Sequence, residues 1–268
     1  MCWSQLPAEL LLQIFGLVET LDKKNILGSC RRWRNLCKDH TLWRNLRVKS
    51  RKSKTVTDRF HLFKYGQHIT RLHIDVIASE PPVCVLEEHF RNFLQLFSIK
   101  NTTLIELNIA FCGPDTHDIQ NEMLSFLETQ QHIQRITISS NYYFICQTRW
   151  IQILTRCRIL NIAVKYLDLS EVPSYRPYLV NRDLMSREII LFTTLVHLRI
   201  QFSLLKEEDL FYVINLNRNT LQQLDIYDYD IDIKNNKLSK IRTLIKTLYP
   251  NLRVRFLLIN KKLFNSYQ

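Results

Sequence analysis

Few residues in this sequence have the type and spacing that chemistry requires. Asp228, Asp230 and Asp232 alternate like the first ligands of a calcium loop. Such a loop needs glycine at its sixth position for a sharp turn and glutamate at its twelfth for bidentate ligation. Those places hold Ile233 and Ser239, so the match fails. The eight histidines include no H-x-x-x-H pair, the helical spacing that puts two imidazoles on one zinc ion. Cys112, near His117, and Cys146 and Cys157 are isolated thiols with no base beside them in sequence to activate a nucleophile. Only four glycines are present, at 16, 28, 66 and 113, too few and too scattered for a P-loop or a dinucleotide fingerprint, and G-x-S-x-G is absent. The residues therefore propose no catalytic group, no cofactor and no metal ligand, and the chain reads as a protein that is not itself an enzyme.

The elements must then serve binding. The chain has 268 residues, 46% hydrophobic and 11% aromatic, enough for one large or two modest domains with a real core. No apolar run approaches the ~18 residues of a membrane span, and Glu9 interrupts the first apolar run where a secretory signal would need continuity. A soluble protein is expected. Seven cysteines, an odd number without a C-x-x-C pair, read as reduced thiols of a cytosolic or nuclear protein. The sequon Asn101-Thr102-Thr103 would matter only in a secreted chain.

The stretch from Leu6 to Leu46 organises the rest. Pro7 suits a first helical position, whose backbone donor has no intrahelical partner anyway. Leu10, Leu11, Ile14, Phe15 and Val18 follow at i, i+1, i+4, i+5 and i+8, a wide apolar stripe down one helix. Asp22 is placed to cap a second short helix carrying Ile26 and Leu27, and Cys30, Trp33 and Cys37 fall on one side of a third. Three short helices in about 40 residues lie near the lower limit for a self-sufficient core. The apolar surface left over is meant for another protein.

The pattern Leu-Pro-x-Glu-Leu, Ile-Phe, Asp, Cys-Arg-x-Trp, Leu-Trp at this spacing resembles an F-box. Lys23 departs from the apolar residue usual after the aspartate, and Gly28-Ser29 from the usual apolar pair before the cysteine. The resemblance implies docking on a Skp-type adaptor and through it on a cullin scaffold. Carried onto matching positions, the adaptor contacts would involve Leu6, Pro7, Leu10, Ile14, Phe15, Cys30, Arg31, Trp33, Leu42 and Trp43.

The formal charge is +12, and residues 1–65 hold fourteen Lys or Arg against five Asp or Glu, a local +9 that leaves +3 for the remainder. Most of the excess lies in residues 44–64. The run from Arg47 to Lys54 lacks apolar periodicity and reads as a solvated connection. Sharper readings are a nuclear-import signal or a contact for an acidic partner. Nucleic acid is disfavoured, because no aromatic stacking platform interleaves the basic residues.

Beyond Lys64 the spacing L-x-x-L-x-L recurs: Ile69, Leu72, Ile74; Leu104, Leu107, Ile109; Ile133, Ile136, Ile138; Val164, Leu167, Leu169; Leu195, Leu198, Ile200; Leu221, Leu224, Ile226. That is the core of a leucine-rich repeat, with the last two positions alternating inward along a strand. A weaker strand follows at Leu252, Val254 and Phe256. Helical patterns lie between: Leu86, Phe90, Phe93, Leu94, Phe97; Ile119, Met123, Phe126, Leu127; Leu210, Val213, Ile214 behind Glu207-Glu208-Asp209; and Leu238, Ile241, Ile245, Leu248. Residues 170–182, with Pro173, Pro177 and two tyrosines, predict a surface loop.

The expected fold is α/β: a three-helix F-box over residues 1–48, a basic connection over 49–64, and an irregular leucine-rich-repeat solenoid, curved, with parallel strands and outer helices, over 65–268. Arg71, His73, Glu106, Asn108, Arg135, Thr137, Tyr166, Asp168, His197, Arg199, Gln223, Asp225 and Tyr227 should line its concave face and hold a protein substrate. The resemblance to F-box proteins with leucine-rich repeats implies a non-catalytic substrate receptor of an SCF-type ubiquitin ligase, cytoplasmic or nuclear. The alternative is a repeat scaffold or nucleic-acid binder using residues 44–64.

Overall fold

The computed structural model describes residues 5–18, 22–49, 64–77, 84–112, 118–140, 147–172, 182–228 and 236–258. The chain divides into two compact units, Met1–Ile133 and Gln134–Gln268.

The first unit opens with helix α1 (Ala8–Leu17), α2 (Lys23–Ser29) and α3 (Arg31–Leu36), then a 3-10 turn at His40–Trp43. Pro7 precedes α1 as its cap residue, and the Leu11 amide closes the first turn onto the Pro7 carbonyl at 3.1 Å. Asp22 occupies the cap position of α2 but caps it only through its backbone: its side chain makes no capping bond, and its carbonyl receives the Asn25 amide at 2.9 Å. The 3-10 turn leads directly into strand β1 (Asn45–Lys49), which pairs in parallel with β2 (Arg71–Ile77), and β2 pairs with β3 (Glu106–Cys112). The run from Arg47, expected to be a solvated connection, thus begins inside a strand, with Leu46 and Val48 buried and Arg47 between them exposed. Residues 50–63 lie outside the described residues.

Between the strands run helices Cys84–Lys100 and Asp118–Glu128. Phe93, Phe97 and Phe126 meet at their rings, with centroids 6.0 Å and 5.7 Å apart. Such pairs contribute about 1 kcal/mol beyond the area they bury.

The second unit carries strands β4 (Arg135–Ser140), β5 (Tyr166–Glu171), β6 (His197–Gln201), β7 (Gln223–Asp228) and β8 (Arg253–Leu258), each parallel to the next, with one irregularity between Thr137 and Ser139. Helices Gln147–Ile159, Arg182–Ile190, Glu207–Leu216 and Asn236–Leu248 connect them. Parallel neighbours require such crossovers, because a tight turn cannot return the chain to the same end.

Register confirms the repeating pattern in both units. Leu46, Leu72 and Leu107 are paired across the strands of the first unit, and Ile136, Leu167, Leu198, Leu224 and Val254 across those of the second. The six expected L-x-x-L-x-L triplets are buried at all three positions, so each of β2 to β7 turns its triplet to the core, whereas Val254 and Phe256 of β8 are half-buried. Strand–helix units stacked in sequence order are consistent with a repeat solenoid.

Buried amides lock the turns before the strands. Asn101 donates through Nδ2 to the carbonyls of Gly66 and Ile69 at 2.6 and 2.7 Å, and the Gln130 side chain donates to the Asn101 carbonyl at 2.6 Å. In the second unit Asn217 donates to the Phe192 carbonyl at 2.8 Å and accepts the Leu195 amide at 2.9 Å. Each amide satisfies main-chain groups of the preceding turn that no ladder reaches. Asn161, at φ 53°, ends the helix Gln147–Ile159 in the left-handed region that asparagine tolerates. Of the predicted loop at 170–182, Ser170 and Glu171 belong to β5, Val172 is buried, and residues 173–181 lie outside the described residues.

Candidate functional site

Two surfaces have the makings of a binding site. The first is the helical module. Its stripe splits in two along α1. Leu11 and Phe15 turn inward and join Cys37, Leu42, Trp43 and Tyr65 in a buried core. The Trp43 ring lies flat on Tyr65, with centroids 4.4 Å apart and planes 3° from parallel, and its indole N–H donates to the Cys37 carbonyl at 2.8 Å. Phe15 meets Trp33 edge to face at 5.2 Å. Three of the ten expected adaptor contacts, Phe15, Leu42 and Trp43, are thus interior residues of the module itself. They shape its surface from behind.

The other seven stand at or near the surface. Pro7 and Arg31 are exposed, Leu10 is 45% exposed, and Leu6, Ile14, Cys30 and Trp33 are half-buried. Cys30 also has a local duty, its sulfur accepting the Trp33 amide at 3.4 Å as the cap of α3. Leu17, unremarked in the sequence, is 88% exposed. Leu10 and Leu17, spaced i and i+7, share the uncovered side of α1, Leu11 and Phe15 turn inward, and half-buried Ile14 packs against their cluster. The signal that could have found Leu17 was that spacing.

Lys23 departs furthest from expectation. It is almost wholly buried, its ammonium donates to the Leu42 carbonyl at 2.5 Å, and it lies 5.7 Å from the centre of the Trp43 ring. Burial lowers its pKa, and nearby Cys37 acts the other way.

The second surface is the polar side of the strands. In the first unit the Asp75 carboxylate receives Arg47 Nε at 3.0 Å and meets His73 Nε2 at 2.7 Å. Burial alone would raise the pKa of Asp75, but Arg47 and His73 outweigh it and bring it below the ordinary value. Arg71 is 3.5 Å from the Glu106 carboxylate, which also accepts the Asn108 amide at 3.1 Å. Asp75 was absent from the expected face, although the alternation of Arg71 and His73 leads to it.

In the second unit register sets two polar rows across the strands. Arg135, Tyr166, His197, Gln223 and Arg253 form one, and Thr137, Asp168, Arg199, Asp225 and Arg255 the other. Arg199 is the hub. It donates to Asp168 at 2.5 Å and to the hydroxyls of Tyr166, at 3.4 Å, and Tyr227. Arg255 grips Asp225 with two donors at 2.8 and 2.5 Å, and His197 and Gln223 add contacts at 3.0 and 3.1 Å. Burial would raise the pKa of Asp225, yet Arg255, Gln223 and His197 together hold it at about 2. Asp168 and Asp225 were expected to face a substrate. Both are instead buried and satisfied, and the surrounding arginines, Thr137, His197, Gln223 and the tyrosine edges are presented outward.

On this face the carboxylates of Asp75, Glu106, Asp168 and Asp225 are each bound by donors, and Asp168 also accepts the Ser170 hydroxyl at 2.7 Å. The arrangement suits recognition. Among the described residues no helix is long and apolar enough to cross a membrane. Residues 3–49 match the family model described as F-box-like. The match spans the three helices, the 3-10 turn and β1, and it supports reading this protein as an F-box protein with an F-box-like domain at its N-terminus.

Proposed function

We propose that this protein is the non-catalytic substrate-recognition subunit of an SCF-type ubiquitin ligase, working in the cytoplasm, the nucleus or both. The F-box-like module docks on a Skp-type adaptor and through it on a cullin scaffold. The strand–helix units behind it, read as irregular leucine-rich repeats, hold a protein substrate for ubiquitination and degradation. Other subunits carry out the transfer, and this chain contributes proximity. Holding an acceptor lysine near the loaded enzyme raises its effective concentration without a catalytic residue here.

The observation that carries this reading is the F-box-like match on a module whose first helix keeps Leu10 and Leu17 uncovered after its own core is complete. Apolar side chains so placed gain about 1.5–3 kcal/mol each when a partner buries them fully. The test is co-purification of the full chain with the adaptor, beside the double variant Leu6→Ala, Pro7→Ala. Stoichiometric adaptor with the native chain and a marked loss with the variant, both proteins remaining folded, is the expected result. Full recovery of adaptor by the variant, or none by the native chain, counts against it.

A further inference from the structure

We propose that the polar face of β4 to β8 is a docking surface for an acidic, extended protein segment lying across the strands. The proposal rests on the substrate-receptor reading and names the chemistry of the substrate.

Charge comes first. The two polar rows hold four arginines and two aspartates, an excess of +2 (4 − 2) before His197 is counted. The aspartates are buried and already engaged by Arg199 and Arg255, so they offer no repulsion at the surface. Arg253 adds its charge at the β8 end of the first row, and Arg135 stands exposed at the β4 end. Arg253 makes no ion pair among the described residues. Glu171 lies at the end of β5, beyond these rows.

Aromatic geometry then decides between polyanions. A nucleic-acid strand needs free ring faces for its bases. Here the Arg135 guanidinium lies 4.4 Å from the centre of the Tyr166 ring, His197 meets that ring at 4.6 Å, and Arg199 lies 5.2 Å from the centre of the Tyr227 ring. The rings are taken. A guanidinium laid on a ring still directs its N–H edges outward, the geometry that binds a carboxylate with two parallel hydrogen bonds.

Distance sets the ligand. From β4 to β8 there are four strand spacings of about 4.8 Å, roughly 19 Å, which about six residues of extended peptide span. The segment that fits carries carboxylates about six residues apart, with polar residues between them to meet His197 and Gln223.

The experiment is fluorescence anisotropy on the full chain. The probes are a labelled twelve-residue peptide alternating Glu and Ser, its Gln counterpart, and a twelve-nucleotide oligo-dT. The acidic peptide is expected to bind at least tenfold more tightly than the Gln peptide and more tightly than oligo-dT. The double variant Arg135→Gln, Arg253→Gln should weaken it at least fivefold. Arg253→Gln alone, which removes no ion pair among the described residues, should weaken it in the same direction and guards against misfolding of the double variant. Unchanged affinity in both variants overturns the proposal, because the peptide is then held elsewhere, as on residues 44–64. Equal affinity for the Gln peptide, or tighter binding of oligo-dT, overturns it as well. Adaptor capture is read on the same preparations, so adaptor bound without acidic peptide defeats this inference alone, whereas lost adaptor defeats the ligase reading.

Discussion

The ammonium of Lys23 and the carbonyl of Leu42 are joined at 2.5 Å inside the helical module, nineteen positions apart in sequence. A cation stands where an apolar side chain is usual, and the structure shows how it fits. The hydrocarbon stem fills the apolar place, and the head meets a carbonyl of the 3-10 turn, where the end of a short helix leaves acceptors unpaired. The same head lies by the Trp43 ring, which adds a favourable cation–ring contact. One side chain thus fastens α2 to the 3-10 turn.

Lys23→Ala should therefore destabilise the protein by about 2 kcal/mol, through a lost stem and an orphaned carbonyl together. Lys23→Met keeps the stem and should cost about half as much. Urea unfolding followed by tryptophan fluorescence separates the two variants; a Lys23→Ala protein as stable as the native one would refute the fastening role.

Phe15 and Leu10 lie on opposite sides of α1 and should respond oppositely. Phe15 is 2% exposed, so Phe15→Ala opens a cavity and costs about 3 kcal/mol of stability. Leu10→Ala removes a surface group and should cost under about 0.5 kcal/mol, while lowering adaptor capture. Thermal melts read beside pull-downs decide it, and a Leu10→Ala protein that captures adaptor fully would move the docking surface elsewhere.

Asn101→Ala removes the side-chain donor from the buried carbonyls of Gly66 and Ile69; the Gly66 carbonyl keeps the Ile69 amide at 3.1 Å, whereas the Ile69 carbonyl loses its donor. One unsatisfied buried acceptor costs ~1–3 kcal/mol, so a loss of about 2 kcal/mol is expected. Asn101→Asp should not rescue it, because an ionised carboxylate has no donor to offer. Chemical denaturation gives the answer; equal stability of native protein and both variants would show the amide to be dispensable.

Asp225 makes stability pH-dependent on the acid side. Its pKa is about 2 in the folded protein against an ordinary 3.8, so folding favours the ionised form. The resulting stabilisation, on the order of 2 kcal/mol, is fully present above the ordinary value and disappears as pH falls from about 4 through about 2. Asp225→Asn should flatten that part of the melting-temperature profile and lower stability at neutral pH. A variant profile that still falls as steeply between pH 4 and 2 would assign the acid limb to other carboxylates.

Much of the fold is legible in local spacing. The triplets from Ile69 to Ile226 place inward residues two apart along each strand, and their pairing in register follows because one slipped residue would turn every leucine outward. The amphipathic helices at Cys84–Lys100, Asp118–Glu128 and Asn236–Leu248 fall where their 3.6-residue period predicts. Gln147–Ile159 and Arg182–Ile190 were not marked out by their own stripes, since Arg and Gln side chains interrupt them.

What the residue pattern by itself determined, then, was a module of short helices followed by strand–helix units in alternation, because side-chain period and proline chemistry act over a few neighbours. Tertiary structure alone decided which side of α1 faces the core, that Asn45–Lys49 is a strand, that Lys23 is interior, and that Asp168 and Asp225 are sealed among arginines. Each of these depends on groups from segments about 20 or more residues apart, and a buried charge is tolerated only once such distant donors arrive together.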